Sequence, residues 1–90
     1  MPPIATQEYF AELLEIGKSE APQTERLQQV ELLVEQFLSE LEAANVADIE
    51  AESYRTKFVG FVSKSLIDPS TSESNKLVLN HAYSLLTGNI

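Results

Sequence analysis

The chain contains no cysteine, which excludes disulfides, thiol nucleophiles and thiolate–metal sites. Basic side chains are scarce: six Lys and Arg stand against 14 Asp and Glu, a formal net charge of −8. Scattered as they are, six cations form no patch for a phosphate backbone, so neither nucleic acid nor an anionic membrane is an expected partner. Histidine occurs once and tryptophan not at all. Gly17, Gly60 and Gly88 are the only glycines and lie far apart, so no glycine-rich loop is present to cradle a phosphate. No apolar run approaches the ~20 residues that span a bilayer. Met1-Pro2-Pro3-Ile4 lacks the basic region and apolar core of a signal peptide. A cytoplasmic protein is therefore expected.

What is present is an uneven distribution of charge. Residues 1–52 hold 12 of the 14 acidic side chains and only Lys18 and Arg26 as cations, a net of −10. Residues 53–90 carry a net of +2, and no charged side chain follows Lys76. An acidic front half followed by a nearly uncharged, apolar tail keeps a small protein in solution, and it also steers a basic partner. Ninety residues make a single domain. With 43% hydrophobic residues, its composition is that of a folded chain rather than a disordered one.

Periodicity is helical nearly throughout, and no segment alternates as a half-buried strand does. Four helices are predicted, at about residues 6–16, 23–44, 48–67 and 71–87. Thr6 is the expected N-cap of the first, with Phe10, Leu13 and Leu14 on its apolar face and Gly17 as a left-handed cap at its end. Pro22 suits the start of the second. There, Leu27, Val30, Val34, Phe37, Leu41 and Ala44 recur at spacings of three and four, a seam of almost three heptads that Leu33 and Leu38 widen. Leu32 falls outside that seam, where a polar residue is expected. Asn45 tolerates the left-handed conformation that ends a helix. The third helix is expected to be capped by Asp48, to bury Ala51, Tyr54, Phe58, Phe61, Val62 and Leu66, and to stop at Asp68-Pro69. Ser70 and Glu73 have capping-box spacing for the fourth, which Gly88 would close. The predicted fold is an all-α, antiparallel four-helix bundle.

Catalytic and metal-binding patterns fail on their spacing. His81-Ala82-Tyr83-Ser84-Leu85 lacks the lysine and glycine of the H-x-L-K-G pattern in histidine phosphotransfer domains. Val78 precedes His81 by three, so the Glu-x-x-His pair of carboxylate-bridged metal bundles is missing. Asp68, Ser70 and Ser72 open like a calcium loop, but Glu73 and Leu79 occupy the places that need Gly and Glu. Glutamate pairs such as Glu8–Glu12 and Glu31–Glu35 fall on faces expected to be wet, where nothing tunes a general acid. The Asp-Ser-Leu attachment motif of acyl carrier proteins is absent. In size, acidity and expected helix count the chain resembles the DNase-colicin immunity proteins, but it lacks their Tyr-Tyr-Pro segment. No catalytic residue, metal ligand or cofactor is expected.

Two helices carry more apolar or uncharged surface than one face can use. On the third, Ile49, Thr56, Gly60, Ser63 and Ile67 form an uncharged stripe opposite Phe58. Either the helix packs on two sides within the chain, or another chain covers the stripe. The fourth helix is apolar almost all round, with Leu77, Leu79 and Tyr83 outside its main face of Val78, Ala82, Leu85 and Leu86. These eight residues, Ile49, Thr56, Gly60, Ser63, Ile67, Leu77, Leu79 and Tyr83, are the candidate interface. The expected function is a non-enzymatic interaction or regulatory module, of the inhibitor or immunity type, that binds a basic protein. The alternatives are a homodimeric structural protein and a degenerate histidine phosphotransfer domain using His81.

Overall fold

A computed structural model of the chain describes residues 5–45 and 47–88. The leader reading of residues 1–4 falls outside them. The fold is all-α: α1 (Thr6–Lys18), α2 (Gln23–Ala43), α3 (Asp48–Leu66) and α4 (Glu73–Thr87). Short connections reverse the chain. The end of α1 (Glu15, Ile16) lies beside the first half of α2 (Gln29, Leu32), and the start of α1 beside Gln36 and Glu40. In the same antiparallel sense, Glu52 and Arg55 near the start of α3 lie beside Leu86 and Thr87 at the end of α4.

The cross-section is a rhombus rather than a square. α4 packs against all three other helices, α1 packs against α2, α3 and α4, and the backbones of α2 and α3 stay apart, so that these two helices meet through long side chains. This placement explains the composition of α4. A helix with neighbours on three sides needs apolar residues on three sides, and Val78, Leu79 and Ala82 are fully enclosed. Much of the apolar surface of α4 is thus covered by the chain itself, with Leu77, Tyr83 and Leu85 left half-buried.

The centre of the core is aromatic. Phe37 of α2 and Phe58 of α3 are both inaccessible to solvent. Their rings meet edge to face, with centroids 4.9 Å apart. Tyr9 of α1 stands edge-on to Phe37 at 5.3 Å, so one aromatic cluster ties three helices together. Leu13, Val30, Val34, Leu41, Val62 and Leu86 complete it.

Helix ends depart from the sequence reading where a side chain has another task. Thr6 does not cap α1. It is the first helical residue, and Ala5 takes the cap position, its carbonyl accepting from Glu8 and Tyr9 N–H. Thr6 lies on the same face as Tyr9, Leu13 and Gly17, at helical spacing, and is buried with them. Gly17 is likewise no left-handed cap; it stays helical and buried, and α1 continues to Lys18. Its role is proximity: a Cβ there would sit 3.1 Å from Asn75 Cα and closer still to the Asn75 amide. At α3 the cap is Ala47 rather than Asp48, which is the first helical residue and places its charge at the positive end of the helix dipole. Before α4, Ser70 is engaged elsewhere. Its N–H and Oγ both donate to Asp68 Oδ1, at 2.9 and 2.7 Å, and Thr71 Oγ1 donates to Ser65 O at 2.7 Å. The cap moves to Ser72, whose Oγ accepts from Asn75 N–H at 3.2 Å, so α4 starts two residues later than expected. Asn45 and Gly88 do adopt positive φ, at 53° and 69°.

Candidate interaction surfaces

The uncharged stripe of α3 faces outward. Ile49 and Ile67 are 80% and 83% exposed. Thr56 and Gly60 are exposed between them and Ser63 is half-buried. No atom lies within 4 Å of where a Gly60 Cβ would be. The chain therefore does not pack on both sides of α3, and that first alternative is set aside. The stripe is apolar only at its ends. Eighteen residues separate Ile49 from Ile67, about 27 Å along a helix, and the middle is small and polar. Of the α4 candidates, Leu79 is fully enclosed and leaves the interface set. It points to the side of α4 that the other helices cover. Tyr83 is half-buried against the core, and Leu77 is half-buried.

A second surface lies between α1 and α2, where the sequence offered only the out-of-place Leu32. Each helix contributes one stripe to it. Glu12, Glu15 and Ile16 come from α1; Gln29, Leu32, Leu33 and Gln36 come from α2; together they line a groove of about 380 Å³. Leu33 is buried at its floor, and Leu32 is 64% exposed on its wall. The same seam continues toward the start of α1 as a smaller depression of about 190 Å³ lined by Glu8, Tyr9, Glu12, Gln36 and Glu40. The seam thus has its aliphatic side chains at one end and glutamates along its whole length, and among the described residues no Lys or Arg lines either part.

Tyr9 and Glu40 close the floor at the acidic end. The Tyr9 hydroxyl donates to Glu40 Oε2 across the helix interface. Burial holds the Tyr9 phenol well above the usual tyrosine range, and the hydrogen bond to Glu40 and the nearby charges of Glu40 and Glu12 add to this. Sequence reading missed this pair because nothing in the spacing of a lone Tyr and a distant Glu announces it.

Among the described residues, ion pairs are few and local. Lys18 lies 3.9 Å from Glu15, Arg55 3.6 Å from Glu52 and Lys76 3.8 Å from Glu73, each within one helical turn. All three pairs are exposed enough to contribute little. His81 Nε2 lies 3.1 Å from Glu31 Oε2, joining α4 to α2. Among the described residues there is no group of three or more His, Asp or Glu placed to hold a metal ion, and no helix long and apolar enough to cross a membrane. No protein family, curated protein or solved structure matches the chain.

Proposed function

We propose that the chain is a non-catalytic protein-interaction module, of the inhibitor or immunity type, whose partner is a basic protein. The observation that carries this reading is the juxtaposition on the α1–α2 side: an exposed Leu32 and half-buried Ile16 stand on the same seam as Glu8, Glu12 and Glu40, which no cation among the described lining residues offsets. Uncompensated charge of one sign accelerates encounter with the opposite sign, and exposed apolar side chains supply contact after encounter. The immobilised chain is expected to retain a basic protein from an extract of its native cell and to release it as salt is raised. The triple substitution Glu8→Gln, Glu12→Gln, Glu15→Gln should lose that protein. Equal retention by this variant, or a retained protein that is acidic, rejects the reading.

The second reading is a homodimer through α3, favoured by the uncharged outer stripe of Thr56, Gly60 and Ser63 between Ile49 and Ile67. Small residues let two helices approach closely, and a twofold pair is the simplest closed arrangement. Light scattering at high micromolar concentration decides it. A dimer that Ser63→Glu converts to a folded monomer supports the reading, and a monomeric wild type removes it.

A further inference from the structure

We propose that the α1–α2 seam is a receptor groove for one amphipathic helix of the basic partner, seated with its apolar anchor on Leu32 and Leu33 and its cations on Glu8, Glu12 and Glu40. This deepens the interaction-module reading and rests on it.

Three features converge on a helix as the occupant. The first is shape. Two antiparallel helices leave a trough between them, and a third helix laid in such a trough is a recurrent mode of recognition. The lining runs from Ala5 to Ile16 on one bank and from Gln29 to Glu40 on the other, about 16 Å of helix rise, or three turns. The second is the distribution of chemistry along it. Ile16, Leu32 and Leu33 lie at one end, rimmed by Glu12 and Glu15, and Glu8, Glu12 and Glu40 line the other, where no leucine or isoleucine is present. A complementary helix carries Leu, Ile or Phe at one end of a face and Lys or Arg one to two turns farther along it. The third is charge. The banks supply Glu8, Glu12, Glu15 and Glu40; among the described residues, the only cation within 4 Å of any of them is Lys18, 3.9 Å from Glu15 and itself exposed. A basic helix meets no like charge on either bank, whereas an acidic helix meets four. The α3 stripe offers none of this, since its two isoleucines are isolated at opposite ends and no charge selects a partner.

Leu32 is the central residue. It lies one position outside the heptad seam of α2, is 64% exposed, and is not needed to close the core beneath it. Substitution there leaves the fold intact while removing the wall of the groove. The glutamates fix direction and choice of partner, and Leu32 with Leu33 fixes the anchor.

The test uses the full chain and a synthetic probe. The probe is an amidated peptide about four turns long, with leucines at one end of one face and lysines toward the other. Two controls accompany it: the same residues scrambled so that no face forms, and the same helix with glutamate for lysine. Nuclear magnetic resonance titration should move the signals of Glu12, Ile16, Leu32, Leu33 and Gln36 with the probe and with neither control. Leu32→Gln, and separately Glu8→Gln with Glu12→Gln, should each weaken binding about tenfold, while Ile67→Gln on α3 leaves it unchanged. Raising salt should weaken the wild type more than the double-Gln variant. Binding of the scrambled peptide equal to that of the probe, shifts confined to α3, or no effect of Leu32→Gln overturns the proposal. If the probe fails while the native extract still yields a basic protein released by salt, the groove is wrong and the interaction reading stands. If both fail, both fall.

Discussion

Gly17 of α1 lies so close to Asn75 in α4 that a side chain on Gly17 would meet the Asn75 amide and crowd its Cα. A Cβ at that position would lie 3.1 Å from Asn75 Cα, with the Asn75 amide in its way. The amide oxygen is enclosed and, among the described residues, takes no hydrogen bond. The C-terminal end of α1 and the first turn of α4 therefore come together closely, and any side chain at position 17 would have to displace the Asn75 amide.

Gly17→Ala should therefore destabilise the fold by about 1–3 kcal/mol, the usual cost of overpacking, despite the better helix propensity of alanine. Gly60→Ala is the control. With open space around Gly60, the propensity gain stands alone and should stabilise by about 0.5–1 kcal/mol. Urea unfolding of both variants reads the difference. Equal effects would mean that Gly17 is not a close-approach site.

Phe37→Ala and Phe58→Ala should each cost about 3–5 kcal/mol, a large share of the stability of a domain this size. Because their rings touch at 4.9 Å, the double variant should cost less than the two singles added together, with a coupling of about 0.5–1.5 kcal/mol. Strict additivity in chemical denaturation would show that the edge-to-face contact contributes nothing of its own.

The Tyr9–Glu40 pair gives a signature at alkaline pH. The folded chain holds the Tyr9 phenol above its usual range, whereas the unfolded chain ionises near pH ~10. A raised folded value means that the unfolded state releases its proton first. The contribution is complete below pH ~10 and is lost as pH rises beyond it. Melting temperature should fall more steeply above that point in the wild type than in Tyr9→Phe, which has no proton to lose. Parallel curves would remove the buried hydrogen-bonded phenol from the account.

Asp68 behaves in the opposite sense. The Ser70 N–H and hydroxyl hold its carboxyl below the usual aspartate range. The turn they form is intact above the unfolded value and loosens as pH falls through the folded one. Ser70→Ala should raise the Asp68 value toward that of a free aspartate in a carboxylate titration followed by magnetic resonance, because it removes the hydroxyl donor and leaves the N–H. No change on that substitution would leave the backbone N–H as the sole cause.

Much of this fold is legible from spacing. The seam of α2 from Val30 to Leu41 is buried as its periodicity requires, and Asp68-Pro69 ends α3 as the restriction before proline demands. Asn45 and Gly88 take the left-handed conformation their types favour. What spacing does not reveal is which residue is needed by a neighbour. Thr6 and Gly17 carry ordinary cap chemistry, but both face α1's packing partners, and tertiary contact overrides the local preference. Leu79 shows the same limit from the other side. A helix apolar all round reads equally well as half-exposed or as central, and only its three neighbours decide. The α1–α2 groove was announced by one misplaced leucine, because a groove is a property of two helices and periodicity describes one at a time.

The central position of α4 has a consequence for how the chain acquires its shape. Synthesis delivers α1, α2 and α3 first, yet each of them packs against α4. Until that fourth helix emerges from the ribosome, Phe37, Phe58 and Leu13 have apolar flanks without a lid, and the partial chain resembles an open hydrophobic trough more than a smaller version of the fold. Because α4 packs against each of the other helices, the four helices are expected to fold as one cooperative unit once α4 is available. Ribosome-bound chains stalled before residue 73 should remain sensitive to protease, and protection should appear in one step once α4 has cleared the exit tunnel.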